Sequence, residues 1–157
     1  MTLYFQHTAL GKLGIAEQDG NITAVYFANE IIPQDLEIAK TALLSEAFSQ
    51  LNAYFAGELT EFSLPLAPRG SVFRQAVWQA LCAVPYATTA SYKDIAIAIN
   101  NPKAAQAVGQ ANGKNPIPIF IPCHRIIGSN GKLVGYSGGL EIKVFLLALE
   151  KRNRQFL

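Results

Sequence analysis

The residues best suited to chemistry stand together between Pro122 and Arg125. A cysteine attacks as its thiolate, and a free thiol is mostly protonated at neutral pH, so a nucleophilic cysteine needs a cation, a helix N-terminus or a base nearby. His124 and Arg125 directly follow Cys123. The alternative is a cysteine that fills space in a core, as most free cysteines do. Cys82, among apolar helical neighbours, fits that alternative, whereas histidine and arginine are poor core neighbours for Cys123.

A histidine base works best when a third group orients its ring. The chain has only His7 and His124, so cysteine–histidine chemistry must use His124. After residue 68 the sequence has three carboxylates: Asp94, Glu141 and Glu150. Glu150, on the predicted last helix, is the partner we choose. In an extended segment neighbouring side chains point to opposite faces, so a turn or a water relay is needed between His124 and the sulfur.

The composition predicts a folded chain of one domain or two small ones. It has 157 residues, of which 50% are hydrophobic and 15% charged, enough for a sizeable core. It has no apolar run of membrane-spanning length and no signal-peptide pattern after Met1, so we expect a cytoplasmic protein. Two cysteines without a C-x-x-C pair predict no disulfide framework and no metal or cofactor, and a reducing cytoplasm keeps a thiol free.

The charge is unevenly distributed along the chain. Residues 1–68 hold two basic and eight acidic side chains, a net charge of −6, and residues 69–157 hold eleven basic and three acidic ones, a net charge of +8. This asymmetry favours an anionic partner for the second part, most simply nucleic acid. A small basic surface without a partner is the alternative.

The sequence predicts an α+β fold with a linker. Residues 1–61 read as a structural α+β domain, with strands and a hairpin turn at Asp19-Gly20, then a helix from Asp35 to Phe55. Residues 62–70, with two prolines and a glycine, are predicted to be an extended linker. Residues 71–157 form the second domain, whose first helix stops before Pro85.

Two further helices are predicted before Cys123. Ser91, with Asp94 three residues later, resembles a capping box and opens a helix through Ile99. Asn101 is expected to cap the next helix, with Pro102 at its first position. Two short helices across a tight turn are typical of a helix-turn-helix motif that enters a DNA groove, although an ordinary helical hairpin has the same pattern.

The segment after Cys123 is predicted to form a wing and a last helix. Residues 128–132, "GSNGK", read as a hairpin turn, with Leu133-Val134 as the returning strand. A glycine-hinged loop leads into the last helix. Its predicted apolar face comprises Ile142, Phe145, Leu146 and Leu149.

Several stretches of this sequence carry a family resemblance. They are "IPCHRIIG" with the preceding "NPIPI", "FRQAVWQAL", "VPYATTASYKDIA", "NPKAAQAVGQANGKNP", "GYSGGLEIKVFLLALE" and "LNAYFAGELTEFSLPLAPRGSVF". In order and spacing they resemble the methylated-DNA–protein-cysteine methyltransferases, the O6-alkylguanine-DNA alkyltransferases, over nearly the whole chain. The resemblance implies DNA repair by irreversible, single-turnover transfer of an alkyl group from guanine O6 to Cys123. The base is flipped into the site, O4-alkylthymine is a second candidate lesion, and no oligomer is needed.

The resemblance also implies roles for particular residues. His124 acts through a water as the base for Cys123, Glu150 orients His124, Asn115 organises the turn around the site, and Tyr92 protonates the leaving guanine. The residues expected to line the base pocket are Pro122, Tyr136, Ser137 and Gly138. The residues expected to contact DNA are Ser91, Lys103, Ala105, Gln106, Gln110 and Arg125. Taken alone, Asn115 is equally a turn former before Pro116, and the Tyr-Ser-Gly-Gly stretch only a hinge.

The sequence departs from the family pattern on the predicted recognition helix. Gln106 stands where members usually carry an arginine that fills the gap left by the flipped base. Glutamine is shorter and neutral, so DNA affinity and flipping efficiency are expected to change. The "PYATT" loop lacks the usual glycine and glutamate, and without an N-terminal cysteine cluster the zinc of some relatives is not expected.

Two other classes of function compete with this interpretation. A damage-binding or winged-helix regulator would grip DNA without chemistry, but family relatives of that kind lack the cysteine. A cysteine hydrolase would need an oxyanion hole and would leave the helix-turn-helix pattern unexplained.

Overall fold

The structure, a computed structural model, describes residues 1–128, 130–131, 136 and 138–154. The chain divides into two compact units, Met1–Pro68 and Arg69–Leu157. The first is built around a sheet and the second is mainly helical, which confirms the α+β prediction. Among the described residues, every helix is too short or too polar to cross a bilayer.

The first unit is a four-stranded sheet with one helix. Its elements are β1 (Thr2–Thr8), β2 (Gly11–Gln18), β3 (Asn21–Tyr26), β4 (Glu37–Ile38) and α1 (Ala42–Phe55). The strand order is β3-β2-β1-β4, with β1, β2 and β3 antiparallel and β4 parallel to β1. The predicted hairpin is confirmed: Asp19 and Gly20 both take positive φ, 54° and 79°, which matches the twist of the two strands that they join.

Helix α1 begins later than the sequence predicted. It was expected from Asp35, but the chain first forms β4, where the Ala39 N–H donates to the Leu3 carbonyl (3.1 Å). Thr41 then caps the helix, accepting from the Leu44 N–H at 3.1 Å. The start at Asp35 was therefore wrong, because pairing with β1 overrides local helical spacing. The face turned to the sheet buries Leu44, Ala47, Phe48, Leu51 and Tyr54.

The segment predicted as a linker is extended, and part of it is bound to the sheet. Ile22 of β3 donates to the Pro65 carbonyl (2.8 Å) and accepts from the Ala67 N–H (2.9 Å). These bonds tie residues 65–67 to the edge of β3, and the first unit accordingly extends to Pro68.

In the described residues of the second unit there are four α-helices and a short parallel strand pair. Its elements are α2 (Val72–Cys82), β5 (Ala90–Ser91), α3 (Tyr92–Ala98), α4 (Ala105–Gly113), a 3₁₀ turn (Cys123–Arg125), β6 (Ile126–Ile127) and α5 (Leu140–Asn153). Ala90 pairs with Ile126 and Ser91 with Ile127. Trp78 of α2 is buried and its indole N–H donates to the Ala111 carbonyl of α4 at 2.9 Å, which fixes the two helices together.

The structure has both helices of the predicted α3–α4 pair, but only one of the two predicted caps. The capping box is present: the Ser91 hydroxyl accepts from the Asp94 N–H (3.0 Å), and the Asp94 carboxylate accepts from the Ser91 N–H (2.9 Å). Helix α4 begins at Ala105, with Ala104 at the N-cap position and no side-chain cap. The chain first forms a turn in which the Asn101 carbonyl accepts from the Ala104 N–H at 3.0 Å, so Asn101 and Pro102 lie before the helix and Pro102 is not its first residue. Asn101 is therefore not its cap.

Two predicted core positions are exposed. Cys82, expected to be buried, is the last residue of α2, beyond the packed face that ends at Leu81, and it is exposed. In α5 the buried face is rotated from the predicted one, so that Phe145 is exposed and Lys143 is buried. The predicted wing strand, Leu133-Val134, lies outside the described residues.

Candidate active site

Cys123 opens a tight turn that follows a strained loop. The Ile121 N–H donates to the Ile117 carbonyl at 3.0 Å, and the Cys123 N–H to the Ile121 carbonyl at 2.7 Å. Ile119, within this loop, has φ of 76°, a conformation that β-branched residues rarely adopt. The chain then folds into one 3₁₀ turn at Cys123–Arg125. Of the two arrangements left open by the sequence, the structure therefore has a turn at this place.

Asn115 holds both ends of this loop. Its side-chain oxygen accepts from the Ile117 N–H (2.9 Å), and its side-chain nitrogen donates to the Ile121 carbonyl (2.9 Å). The side chain is buried, so these bonds are shielded from competition with water. Asn115 therefore determines where the chain enters the turn of Cys123.

The Cys123 thiol is protonated at rest. The residue is 1% exposed, and burial raises the pKa of its thiol to about 11. A hydrogen bond from Asn115 and the charge of Lys143 act in the opposite direction on that pKa and do not overcome burial. Nucleophilic attack by Cys123 at neutral pH therefore requires a base that takes the proton as the reaction occurs.

The surroundings of His124 suit a base of this kind. Its ring is fully buried, and Nε2 lies 2.7 Å from Oε2 of Glu150. A carboxylate only accepts, so Nε2 carries the proton and Nδ1 is left as an acceptor. Nδ1 is buried and has no hydrogen-bond partner among the described residues. Burial lowers the pKa of His124, which keeps the ring neutral and able to accept a proton.

Glu150 is a buried carboxylate with several donors. Oε1 accepts from Nε of Arg125 (2.9 Å) and from the Ala87 N–H (3.0 Å), and Oε2 accepts from Nη2 of Arg125 (3.0 Å) besides His124. Burial alone would raise the pKa of Glu150, but the hydrogen bonds and charges of His124 and Arg125 outweigh it and lower the pKa to about 2. Glu150 is therefore ionised at neutral pH.

Two residues that the sequence analysis missed lie beside Cys123. Lys143 is fully buried and its Nζ donates to the Ile126 carbonyl at 2.6 Å; burial lowers its pKa, and the nearby Cys123 raises it. The buried Asn112 of α4 donates to the Cys123 carbonyl at 3.4 Å. A lone lysine within the apolar run of α5 was a detectable signal, whereas nothing in the local sequence marks Asn112.

Tyr92 lies between α4 and the cysteine. The Tyr92 ring packs against Gly109 of α4. A Cβ atom added at Gly109 would lie 3.7 Å from the ring, which is van der Waals contact. Burial raises the pKa of the Tyr92 hydroxyl, and the nearby Cys123 raises it further, so the hydroxyl keeps its proton.

The residues predicted for the base pocket are only partly described. Pro122 and Tyr136 are buried and Gly138 is half-buried. Ser137 lies outside the described residues.

The residues predicted to contact DNA fall into two groups. Gln106 and Gln110 are exposed, one turn apart on α4, while Lys103 is exposed but precedes the helix, so it does not extend their face as predicted. Ala105 and Ser91 are half-buried, and the Ser91 hydroxyl caps α3.

Arg125 is a correction to the DNA-contact prediction. It is 7% exposed, and its nitrogens bind Glu150 and, through Nη1, the Val84 carbonyl at 2.8 Å. Its guanidinium is committed inside the protein, so Arg125 is not a phosphate contact. In the sequence an arginine is by default a surface residue, and its partners, Glu150 and Val84, are distant along the chain.

The low pKa of Glu150 makes a prediction about stability. A carboxylate whose folded pKa is lowered from 4.5 to about 2 stabilises the fold above its unfolded pKa, and this stabilisation is lost as pH falls through that interval. We expect Glu150→Gln to lower the free energy of unfolding at pH 7, and the difference from wild type to shrink between pH 4.5 and pH 2. Urea denaturation at several pH values measures this.

Glu141→Gln, at an exposed position in the first turn of the same helix, is the control and should leave the pH dependence unchanged. If the wild-type and Glu150→Gln stabilities stay parallel down to pH 2, the carboxylate does not carry this pH dependence.

Comparison with known proteins places both units in one family. Residues 1–68 match the family model described as 6-O-methylguanine DNA methyltransferase, ribonuclease-like domain, and residues 72–152 match 6-O-methylguanine DNA methyltransferase, DNA binding domain. The chain is 50% identical over 151 residues to the constitutive methylated-DNA–protein-cysteine methyltransferase of Bacillus subtilis (strain 168), covering 92% of each chain. It is 59% identical over 144 residues to the methylated-DNA–protein-cysteine methyltransferase of Methanosarcina acetivorans, covering 90% of this chain and 92% of the relative.

The fold agrees with a solved structure over nearly its whole length. The crystal structure of Mycobacterium tuberculosis OGT in complex with DNA is 45% identical, with a TM-score of 0.93, covering 98% of this chain and 94% of that one. Since both units match in sequence and the fold agrees, this chain belongs to the 6-O-methylguanine DNA methyltransferase family.

Proposed function

We propose that this protein repairs DNA by moving an alkyl group, such as methyl, from O6 of guanine to the sulfur of Cys123, once per molecule. Family membership supports the reaction. The observation that carries it is the site itself: a buried thiol and, in the same turn, a histidine whose Nε2 is held by Glu150 and whose Nδ1 is an open acceptor. No cofactor is needed, because the thiol is the final acceptor.

The transfer balances with the groups present and one water. The thiol proton passes through the water to Nδ1 of His124, while the sulfur attacks the alkyl carbon. The S–C bond forms as the O6–C bond breaks, and the electron pair stays on the guanine, which takes a proton from the Tyr92 hydroxyl. A thiolate is a soft nucleophile that suits an alkyl carbon, and the thioether product has no easy route back, so the reaction stops after one turnover.

The burial of Cys123 supports a mechanism in which the base leaves the duplex. At 1% exposure the sulfur is out of reach of a stacked guanine, so the target base must be flipped into the protein. Pro122, Tyr136, Ser137 and Gly138 are the residues that we assign to the pocket for the flipped base. O4-alkylthymine is a second candidate lesion for this pocket.

We assign DNA binding to the second unit, with α3 and α4 acting as a helix-turn-helix motif. Its residues carry a net charge of +8, from eleven basic and three acidic side chains, and α4 exposes Gln106 and Gln110. The M. tuberculosis relative with the same fold was crystallised in complex with DNA. We expect a monomer in the reducing cytoplasm, since one turnover needs no second copy and the thiol must stay free.

The first prediction separates the two cysteines. Cys123→Ser should take up no methyl from an O6-methylguanine oligonucleotide yet still bind it, because a hydroxyl ionises far less readily than a thiol. Cys82→Ser, the matched control, should take up one methyl, as measured by intact mass. The assignment is wrong if the folded Cys82 variant alone loses uptake. No mass change in wild type would contradict alkyl transfer to Cys123 and would indicate a binder or a hydrolase with another substrate.

The second prediction concerns the His124–Glu150 pair. His124→Ala and Glu150→Ala should each slow transfer, because the thiol then loses its base or the group that orients it. If the two act as one relay, the double variant should be slower by much less than the product of the single effects. Single-turnover rates on duplex substrate measure this, and multiplicative losses would contradict the relay.

The third prediction concerns Gln106. An arginine here adds a planar cation to the exposed face of α4. We expect Gln106→Arg to tighten duplex binding, to speed transfer from duplex DNA and to steepen the salt dependence of binding by about one counterion. On free alkylguanine, which needs no flipping, the rate should barely change.

Gln34→Arg, which adds the same charge at an exposed position in the first unit, is the control and should leave the duplex rate unchanged. Equal gains on duplex and free base would show that residue 106 acts on the pocket, and an unchanged or slower duplex rate would refute its part in flipping.

A further inference from the structure

Arg125 connects three segments of the second unit. From the 3₁₀ turn its Nε and Nη2 bind the two oxygens of Glu150 on α5, at 2.9 and 3.0 Å. Its Nη1 binds the Val84 carbonyl, at 2.8 Å, in the connection between α2 and α3. A guanidinium has this fork of donors in a rigid plane, and an ammonium does not. The contacts therefore fix the distance between Glu150 and Val84.

The α2–α3 connection, residues 83–89, has a second attachment to the same carboxylate. The Ala87 N–H donates to Oε1 of Glu150 at 3.0 Å, and Ala87 has φ of 62°. A residue with a Cβ is strained in this left-handed conformation. The hydrogen bond to Glu150 thus holds Ala87 in a backbone conformation that alanine does not favour. Arg125 binds the same connection three residues earlier, at Val84.

The same connection leads directly to Tyr92. Ala90 and Ser91 form β5, which pairs with Ile126 and Ile127 of β6, immediately after Arg125. Tyr92 is the first residue of α3, and its hydroxyl is close enough to Cys123 for the two to affect each other. Tyr92 is therefore attached to the turn of Cys123 in two ways, through the 83–89 connection and through the β5–β6 pair.

We propose that Arg125 is a positioning residue that fastens the α2–α3 connection to the His124–Glu150 pair, so that Tyr92 and Cys123 keep one fixed relative geometry. The proposal rests on the proposed function in assigning Tyr92 and Cys123 to opposite sides of the transferred group. A displacement of about 1 Å between such groups lowers a rate by about a hundredfold.

Arg125 also acts on His124 through its charge, and this effect can be separated from positioning. The charged groups acting on His124 are Glu150 and Lys143 from α5 and Arg125 from its own turn. Arg125 lowers the pKa of His124, so its removal should raise that pKa. Lysine at 125 keeps the charge but cannot hold Glu150 and Val84 together.

The test compares Arg125→Lys, Arg125→Met and the control Arg152→Lys, an exposed arginine of the same α5 helix that carries Glu150. Transfer from a duplex O6-methylguanine oligonucleotide is measured against pH, and His124 is titrated by NMR with the exposed His7 as internal reference. Arg125→Lys should slow transfer by about tenfold to a hundredfold with His124 titrating as in wild type. Arg125→Met should in addition move the acidic limb of the rate profile to higher pH.

A readout without chemistry distinguishes this proposal from the proposed function. Arg125→Lys should speed amide exchange at Ala87 by more than about tenfold, and Arg152→Lys should not. If Arg125→Lys transfers the methyl group as fast as wild type and its Ala87 amide exchanges as slowly as in wild type, the positioning role is overturned. This comparison does not depend on whether Arg125→Met folds. If wild type takes up no methyl while the Ala87 amide responds to Arg125→Lys, the proposed function fails and the fastening by Arg125 stands.

Discussion

The second unit is organised around one buried charge, the Glu150 carboxylate. A buried carboxylate is stable only when donors replace the water that it has lost. Here the donors come from separate parts of the chain: His124 and Arg125 in the 3₁₀ turn and Ala87 in the α2–α3 connection. Satisfying Glu150 therefore brings these segments together, and the requirement that stabilises the fold also sets the ring orientation of His124.

Burial gives Cys123 a chemistry that differs from that of an activated surface thiol. A pKa of about 11 keeps it neutral in the absence of substrate, which protects a single-use residue from oxidation and from stray alkylating agents. Lys143 lies near enough to lower that pKa, so its charge favours the thiolate that the proposed proton transfer to His124 forms. In the proposed reaction the site forms its nucleophile when the substrate is present; until then burial keeps His124 neutral and Glu150 keeps its ring oriented.

The sequence predicted best where the determining interactions are local. The hairpin at Asp19-Gly20 and the capping box at Ser91 depend on residues no more than three apart, and both are confirmed. The partner of His124 was found because few carboxylates were available. Errors arose where distant partners decide: β1 delays the start of α1, and the committed guanidinium of Arg125 has partners 25 and 41 residues away. Lys143 was overlooked although a lone lysine in an apolar run is a signal, and its acceptor, a backbone carbonyl 17 residues away, could not have been identified from the sequence.

Helix α4 joins the surface assigned to DNA with the chemistry beneath it. Gln106 and Gln110 are exposed on one side of the helix, while Asn112 on the other side donates to the Cys123 carbonyl and Trp78 binds the Ala111 carbonyl. These two hydrogen bonds hold the inner side of α4 independently of the side chains on its outer side. A change between arginine and glutamine at position 106 alters the side chain that the outer face presents to a phosphate or to a vacated base position. The donors His124, Arg125 and Ala87 of Glu150 lie on other segments and remain in place. The affinity for DNA can thus differ between members of this family while the surroundings of the cysteine stay the same.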